Sequence, residues 1–102
     1  MEIIQRERED GGLHVQLQGR LDSMTTPEAE SALLPLAERD RADLLLDLSE
    51  LQYISSAGLR VVLMVAKRVK AGQGRLRLSG LNENVRQVFE ISGFLGVLDV
   101  VD

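Results

Sequence analysis

The stretch that most constrains this chain runs from Leu44 to Val69, LLLDLSELQYISSAGLRVVLMVAKRV. Its opening run, Leu44 to Leu46, is unbroken by polar residues and reads as a strand buried on both faces. A turn-like segment then carries Tyr53, Ile54, Ser55 and Ser56 to the start of a helix. The first N–H groups of a helix have no internal partners, so a hydroxyl or an anion fits well there. Ser55 or Ser56 is therefore expected to sit exposed at a positive helix end.

Successive helical residues turn by about 100°, and from Ser56 onward that rotation separates two faces. Gly58, Val61, Val62, Val65 and Val69 form the buried stripe. Ser56, Arg60, Leu63, Met64 and Lys67 fall close to one line on the far side. Met64 stands among Arg60, Lys67 and Arg68, and an adaptable thioether on a charged face suits contact with a partner. An isolated exposed apolar residue is the plainer alternative.

The rest of the chain reads as a frame for this helix. Ile3 and Ile4 open a first strand that ends at the turn Glu9-Asp10-Gly11-Gly12, giving an N-terminal hairpin. Leu13, Val15 and Leu17 alternate with His14, Gln16 and Gln18, the pattern of a strand with one wet side. Gly19-Arg20-Leu21-Asp22 is expected to leave the strand end, and Thr26-Pro27-Glu28 to start a helix with Thr26 as its cap. Ala29, Ala32, Leu33, Leu36 and Ala37 share one face of that helix, while Pro35 predicts a kink or a break at Leu34. The strand–helix–strand order implies a parallel pair. Beyond the central helix, Ala71-Gly72-Gln73-Gly74 is a stop, Arg75 to Ser79 a short strand, and Asn82 the cap of a brief helix closed by Ser92-Gly93. Phe94, Leu95, Val97, Leu98, Val100 and Val101 form a last apolar element, strand or short helix.

With 102 residues, 44% of them hydrophobic, one domain spanning residues 1–102 is expected. The chain has no cysteine, hence no disulfide and no thiolate metal site, which fits a reducing compartment. A net charge of -4 with scattered basic residues argues against nucleic acid. The N-terminus lacks the features of a secretory signal, and no apolar run approaches membrane-spanning length. A cytoplasmic protein without membrane insertion is the expectation. His14, the only histidine, has no second ligand type nearby and is assigned no role, as a solvated strand residue; no metal and no cofactor are expected.

Three kinds of catalysis fail on the residues. A nucleophile elbow requires G-x-S-x-G, but Ile54 occupies the first glycine position and His14 is the sole candidate base. A P-loop requires G-x-x-x-x-G-K-[ST], whereas Gly72-Gln73-Gly74 follows a helix and continues with Arg75. A phosphoaspartate receiver built on Asp47 would need an acidic pair after the first core strand, and none is present; Asp22 and Asp47 read as cap or loop anions. No catalytic residue is assigned. What remains is a hydroxyl at a helix start, either a plain N-cap or a site of modification, since a phosphate there adds about two negative charges that helix N–H groups can hold.

Gly19-Arg20-Leu21-Asp22, Leu46-Asp47-Leu48-Ser49, Tyr53-Ile54-Ser55-Ser56-Ala57-Gly58-Leu59 and Val88-Phe89-Glu90-Ile91-Ser92-Gly93-Phe94, in that order, resemble the anti-sigma factor antagonist family, the bacterial STAS domain. The similarity runs from Leu13 onward. It implies a STAS-like α/β fold, a mostly parallel sheet of four to five strands flanked by helices. It also implies a partner switch. The unmodified antagonist binds an anti-sigma factor that is a serine kinase of histidine-kinase-like ATPase fold, phosphorylation releases it, and a PP2C-type serine phosphatase restores the binding form. The family serine stands two residues before a glycine, so the resemblance gives phosphorylation to Ser56, with Ser55 as the alternative. Leu21, Asp22, Ser55, Ser56, Arg60, Leu63, Met64 and Lys67 are then the expected partner-binding residues.

Three positions depart from the pattern. Ser55 stands where many members have aspartate, Ala57 where some have a hydroxyl residue, and Arg60 where some have a small one. The first leaves two adjacent hydroxyls and removes a charge that a kinase could read. STAS-like domains also serve as regulatory subunits of lipid-exporting ABC ATPases, which is the alternative function; nucleotide binding by the domain itself is a third.

Overall fold

The computed structural model describes residues 1–96 and 98–101. In chain order these form β1 (Glu2–Glu7), β2 (Leu13–Leu21), α1 (Thr26–Ala37), β3 (Asp43–Ile54), α2 (Ser56–Ala71), β4 (Arg75–Ser79), α3 (Glu83–Ile91) and β5 (Val100–Val101). The five strands lie in sequence order in one sheet. β1 and β2 are the antiparallel hairpin, and β2–β3, β3–β4 and β4–β5 pair in parallel. The hairpin turn is closed by the Arg8 amide donating to the Gly12 carbonyl at 2.7 Å, with Gly11 at φ +93°. The ambiguous C-terminal stretch ends as a strand, its Val97 lying outside the described residues.

The helices pack on the face carrying Val15, Leu17, Leu44, Leu46 and Leu78, all buried. The other face carries His14, Gln16, Gln18, Asp43, Asp47 and Arg77, partly exposed. Leu45 is half-buried on that open side, so the central strand is covered on one face and not on both. From α2, Gly58, Val61, Val62, Val65 and Val69 face the core as the helical spacing predicts, joined by Leu59.

Three local expectations are corrected. β3 runs unbroken to Ile54, so the segment after Leu48 is strand, not turn. Against β2 it slips register twice, pairing Gln16 with Asp47 but Gln18 with Glu50, and Gly19 with Leu51 but Arg20 with Tyr53. Each slip inserts an extra β3 residue, which breaks strict alternation and makes Leu48, Leu51 and Ile54 the buried positions. Likewise β2 continues through Leu21, so Gly19-Arg20-Leu21 belongs to the strand and the chain leaves the sheet only at Asp22. In α1 the cap position is Thr25, Thr26 is the first helical residue, and the helix passes Pro35 to end at Ala37. Pro35 falls in the last turn, where it deprives only the Ser31 carbonyl of its i+4 amide donor, and the helix continues past it to Ala37 without a break.

Candidate functional site at the start of the central helix

The parallel strands β2 and β3 end side by side, with Leu21 paired to Ile54, and the chain enters α2 one residue later. Ser55 is pinned there. Its amide donates to the Leu21 carbonyl at 2.9 Å, its carbonyl accepts from Leu59 at 2.8 Å, and its Oγ accepts from the Gly58 amide at 3.1 Å. Ser55 is thus the N-cap of α2, in extended backbone geometry. Ser56 is the first helical residue, and it is exposed. The two adjacent hydroxyls, equivalent in sequence, differ in that one is spent on the helix and the other is presented to solvent.

Gly58 makes this junction sterically permissible. A Cβ at that position would lie 2.6 Å from the Leu21 carbonyl oxygen, 2.8 Å from Leu21 Cγ and 2.9 Å from Ile54 Cγ1. The strand ends therefore press on the first turn of α2 through a gap only glycine leaves. The first turn of α2 contains no acidic residue, unlike those of α1, with Glu28, and α3, with Glu83. Its positive end and the Ser56 and Ala57 amides remain available to an added anion.

Beside this junction runs the loop from Asp22 to Thr25. The Asp22 carboxylate accepts from the amides of Met24 at 2.9 Å and Thr25 at 3.2 Å, and the Thr25 hydroxyl donates to the Arg20 carbonyl at 2.9 Å. The Met24 amide, ahead of desolvation and the other donors, holds Asp22 below the usual carboxylate range. The Asp22 carboxylate therefore shapes its own loop. Leu21, expected as a contact side chain, is wholly buried, and it serves the junction through its carbonyl. Sequence reading missed two neighbours, Met24, which is 87% exposed, and Tyr53, whose ring lies 4.4 Å from the Arg20 guanidinium carbon. An apolar residue in the polar stretch Ser23-Met24-Thr25-Thr26 was the available signal for the first.

Further along α2, Arg60, Leu63, Met64 and Lys67 line a shallow groove of about 230 Å³. Arg60 and Lys67 are exposed, while Leu63 and Met64 are half-buried, giving an apolar floor between two cations. Four of the five stripe residues thus line one groove, and Ser56 lies outside its lining.

His14 is not simply solvated. Its Nε2 lies 2.8 Å from Asp47 Oδ2 across the β2–β3 pair, and Asp47 Oδ1 accepts from the Ser49 amide at 2.9 Å. Burial alone would raise the Asp47 carboxyl, but the hydrogen bonds from Ser49 and His14 outweigh it and hold it below its ordinary value. Asp47 stands within β3, at hydrogen-bonding distance from neighbours that fully explain it. Among the described residues, no group of three or more histidine and carboxylate side chains is placed to hold a metal ion, and no helix is long and apolar enough to cross a membrane.

Fold and site together define a small α/β domain that presents a serine on a helix tip. The chain belongs to the STAS family of anti-sigma factor antagonists. Residues 4–100 match the family model described as Mlab, STAS domain. A candidate anti-sigma factor antagonist of Bordetella bronchiseptica, BtrV, is 46% identical over 91% of this chain and 80% of its own length. The anti-sigma-B factor antagonist of Bacillus subtilis is 32% identical over 92% of this chain and 85% of its own. The fold is shared with the Bacillus cell fate determinant SpoIIAA in its phosphorylated form, at 18% identity and a TM-score of 0.75, covering 99% of this chain and 92% of that one.

Proposed function

We propose that this chain, working as one STAS domain over residues 1–102 in the cytoplasm, is an anti-sigma factor antagonist controlled by phosphorylation of Ser56. The observation that carries the reading is the division of labour between the two serines: Ser55 Oγ is committed to the Gly58 amide, whereas Ser56 is exposed on a helix start free of acidic residues. Unmodified, the domain docks on an anti-sigma factor serine kinase through Ser56, the Arg60-Leu63-Met64-Lys67 groove and the Asp22 loop, with Ser55 and Leu21 holding that surface from beneath. ATP is bound by the partner, and this chain is its ligand and substrate, with no chemistry of its own.

Phosphorylation then adds roughly two negative charges at a helix start able to hold them, so the fold is kept and the presented surface changes. A dianion pressed into an interface near nucleotide phosphates meets desolvation and like-charge repulsion. A loss of about 4 kcal/mol there corresponds to a thousandfold weaker complex, sufficient for a switch. A PP2C-type phosphatase would return the domain to its binding form.

The test pairs Ser56→Ala with Ser56→Asp against the kinase. Alanine binds and resists release by ATP, aspartate binds weakly, and mass spectrometry of the wild type finds phosphate on Ser56. Equal binding by both variants, with phosphate elsewhere, rejects the site. Copurification with a membrane-associated ATPase and no phosphate on either serine would instead favour the role of a transporter subunit.

A further inference from the structure

A second and larger cleft, of about 470 Å³, opens on the other flank of α2, within the range of about 300–1,000 Å³ of small-molecule sites. Its apolar walls are Leu63 and Ala66 from α2, Leu76 and Leu78 from β4, and Phe94 and Leu98 from the segment leading to β5. The polar groups are few and grouped. Lys67 and Lys70, one helical turn apart and both exposed, stand at its mouth with Asp99. Neither lysine has an ion-pair partner among the described residues. Two ammonium groups against one carboxylate leave the mouth positive above an apolar interior.

We propose that this cleft binds a small amphipathic carboxylate, its tail against Ala66, Leu76, Phe94 and Leu98 and its head between Lys67 and Lys70. A neutral apolar ligand would leave both cations unused, and a highly charged one would leave the walls wet. The site is bounded by α2, β4 and the segment leading to β5. Leu63 and Lys67 also line the shallow groove assigned to the kinase, so a bound carboxylate would neutralise one cation of that groove. That consequence rests on the proposed function, whereas the binding itself does not.

The experiment titrates decanoate, and decanol as its uncharged counterpart, into the isotope-labelled full chain and follows backbone amide shifts. Decanoate should bind at least tenfold more tightly than decanol, with shifts gathered at Leu63, Leu76, Phe94 and Leu98. The double variant Lys67→Gln/Lys70→Gln should bring decanoate down to the level of decanol. Ala66→Phe, which fills the cleft, should abolish both while the remaining amide spectrum shows a folded protein. Equal affinities for the two probes, insensitivity to the lysine substitutions, shifts on other faces or no shifts at all would each overturn the proposal.

Discussion

At the scale of residues, the structure separates two serines that differ in sequence only by their order. Ser55 is a cap, and loss of its acceptor from the Gly58 amide at 3.1 Å removes a stabilising bond of α2. Ser55→Ala is expected to lower stability by about 1 kcal/mol while Ser56 remains a substrate. Ser56→Ala, at an exposed position whose side chain has no hydrogen-bond partner among the described residues, should change stability by no more than about 0.5 kcal/mol. Urea unfolding of the two variants distinguishes these outcomes, and the reverse order would mean that the roles are exchanged. The amino-acid pattern pointed to this pair because helix starts have characteristic residues. It could not choose between them on chemistry alone, since either hydroxyl can cap. His14 shows the opposite limit, because its partner Asp47 is 33 residues away and only strand pairing brings the two together.

At the scale of elements, the site depends on how β2 and β3 end against α2. Gly58→Ala would drive a methyl group into the Leu21 carbonyl and the Leu21 and Ile54 side chains. Overpacking of this kind costs about 1–3 kcal/mol, and here it would also tilt the first turn that carries Ser56. Reduced thermal stability together with slower phosphorylation is the expected result. A second junction gives a control away from the site. Asn82 caps α3 by accepting from the Val85 amide at 2.9 Å and donates to the Leu51 carbonyl at 2.9 Å. Asn82→Ala should cost about 1–2 kcal/mol by denaturant unfolding and leave the phosphorylation rate of the folded fraction unchanged. Helix identities and caps such as this one were legible locally. The length of β3 was not, because its two register slips replace the period-2 signal with buried residues at Leu48, Leu51 and Ile54, a spacing that resembles a turn.

At the scale of the whole molecule, all helices lie on one side of the sheet and a polar face is left open, with the His14–Asp47 pair at its centre. Asp47 is held below its ordinary pKa, so the folded state binds fewer protons there than the unfolded chain does. Its contribution to stability is therefore present above the ordinary carboxylate value of about 3.9 and is lost as pH falls through the depressed one. Asp47→Asn should flatten the acid side of the stability profile, measured as urea midpoints between neutral pH and pH 3, and an unchanged acid slope would contradict this assignment. The parallel order of the strands was readable from strand–helix alternation. The open face was not, since Leu44-Leu45-Leu46 has the composition of a strand covered on both sides, and only packing shows which leucine is left half-exposed.

The most direct measurement compares the affinity of two forms of the full chain for the anti-sigma kinase, one unmodified and one synthesised with phosphoserine at position 56. The phosphorylated form is expected to bind on the order of a thousandfold more weakly, with an amide spectrum altered only around the start of α2. Equal affinity of the two forms, or a weakened complex accompanied by loss of the folded spectrum, would contradict a switch that works through the presented surface.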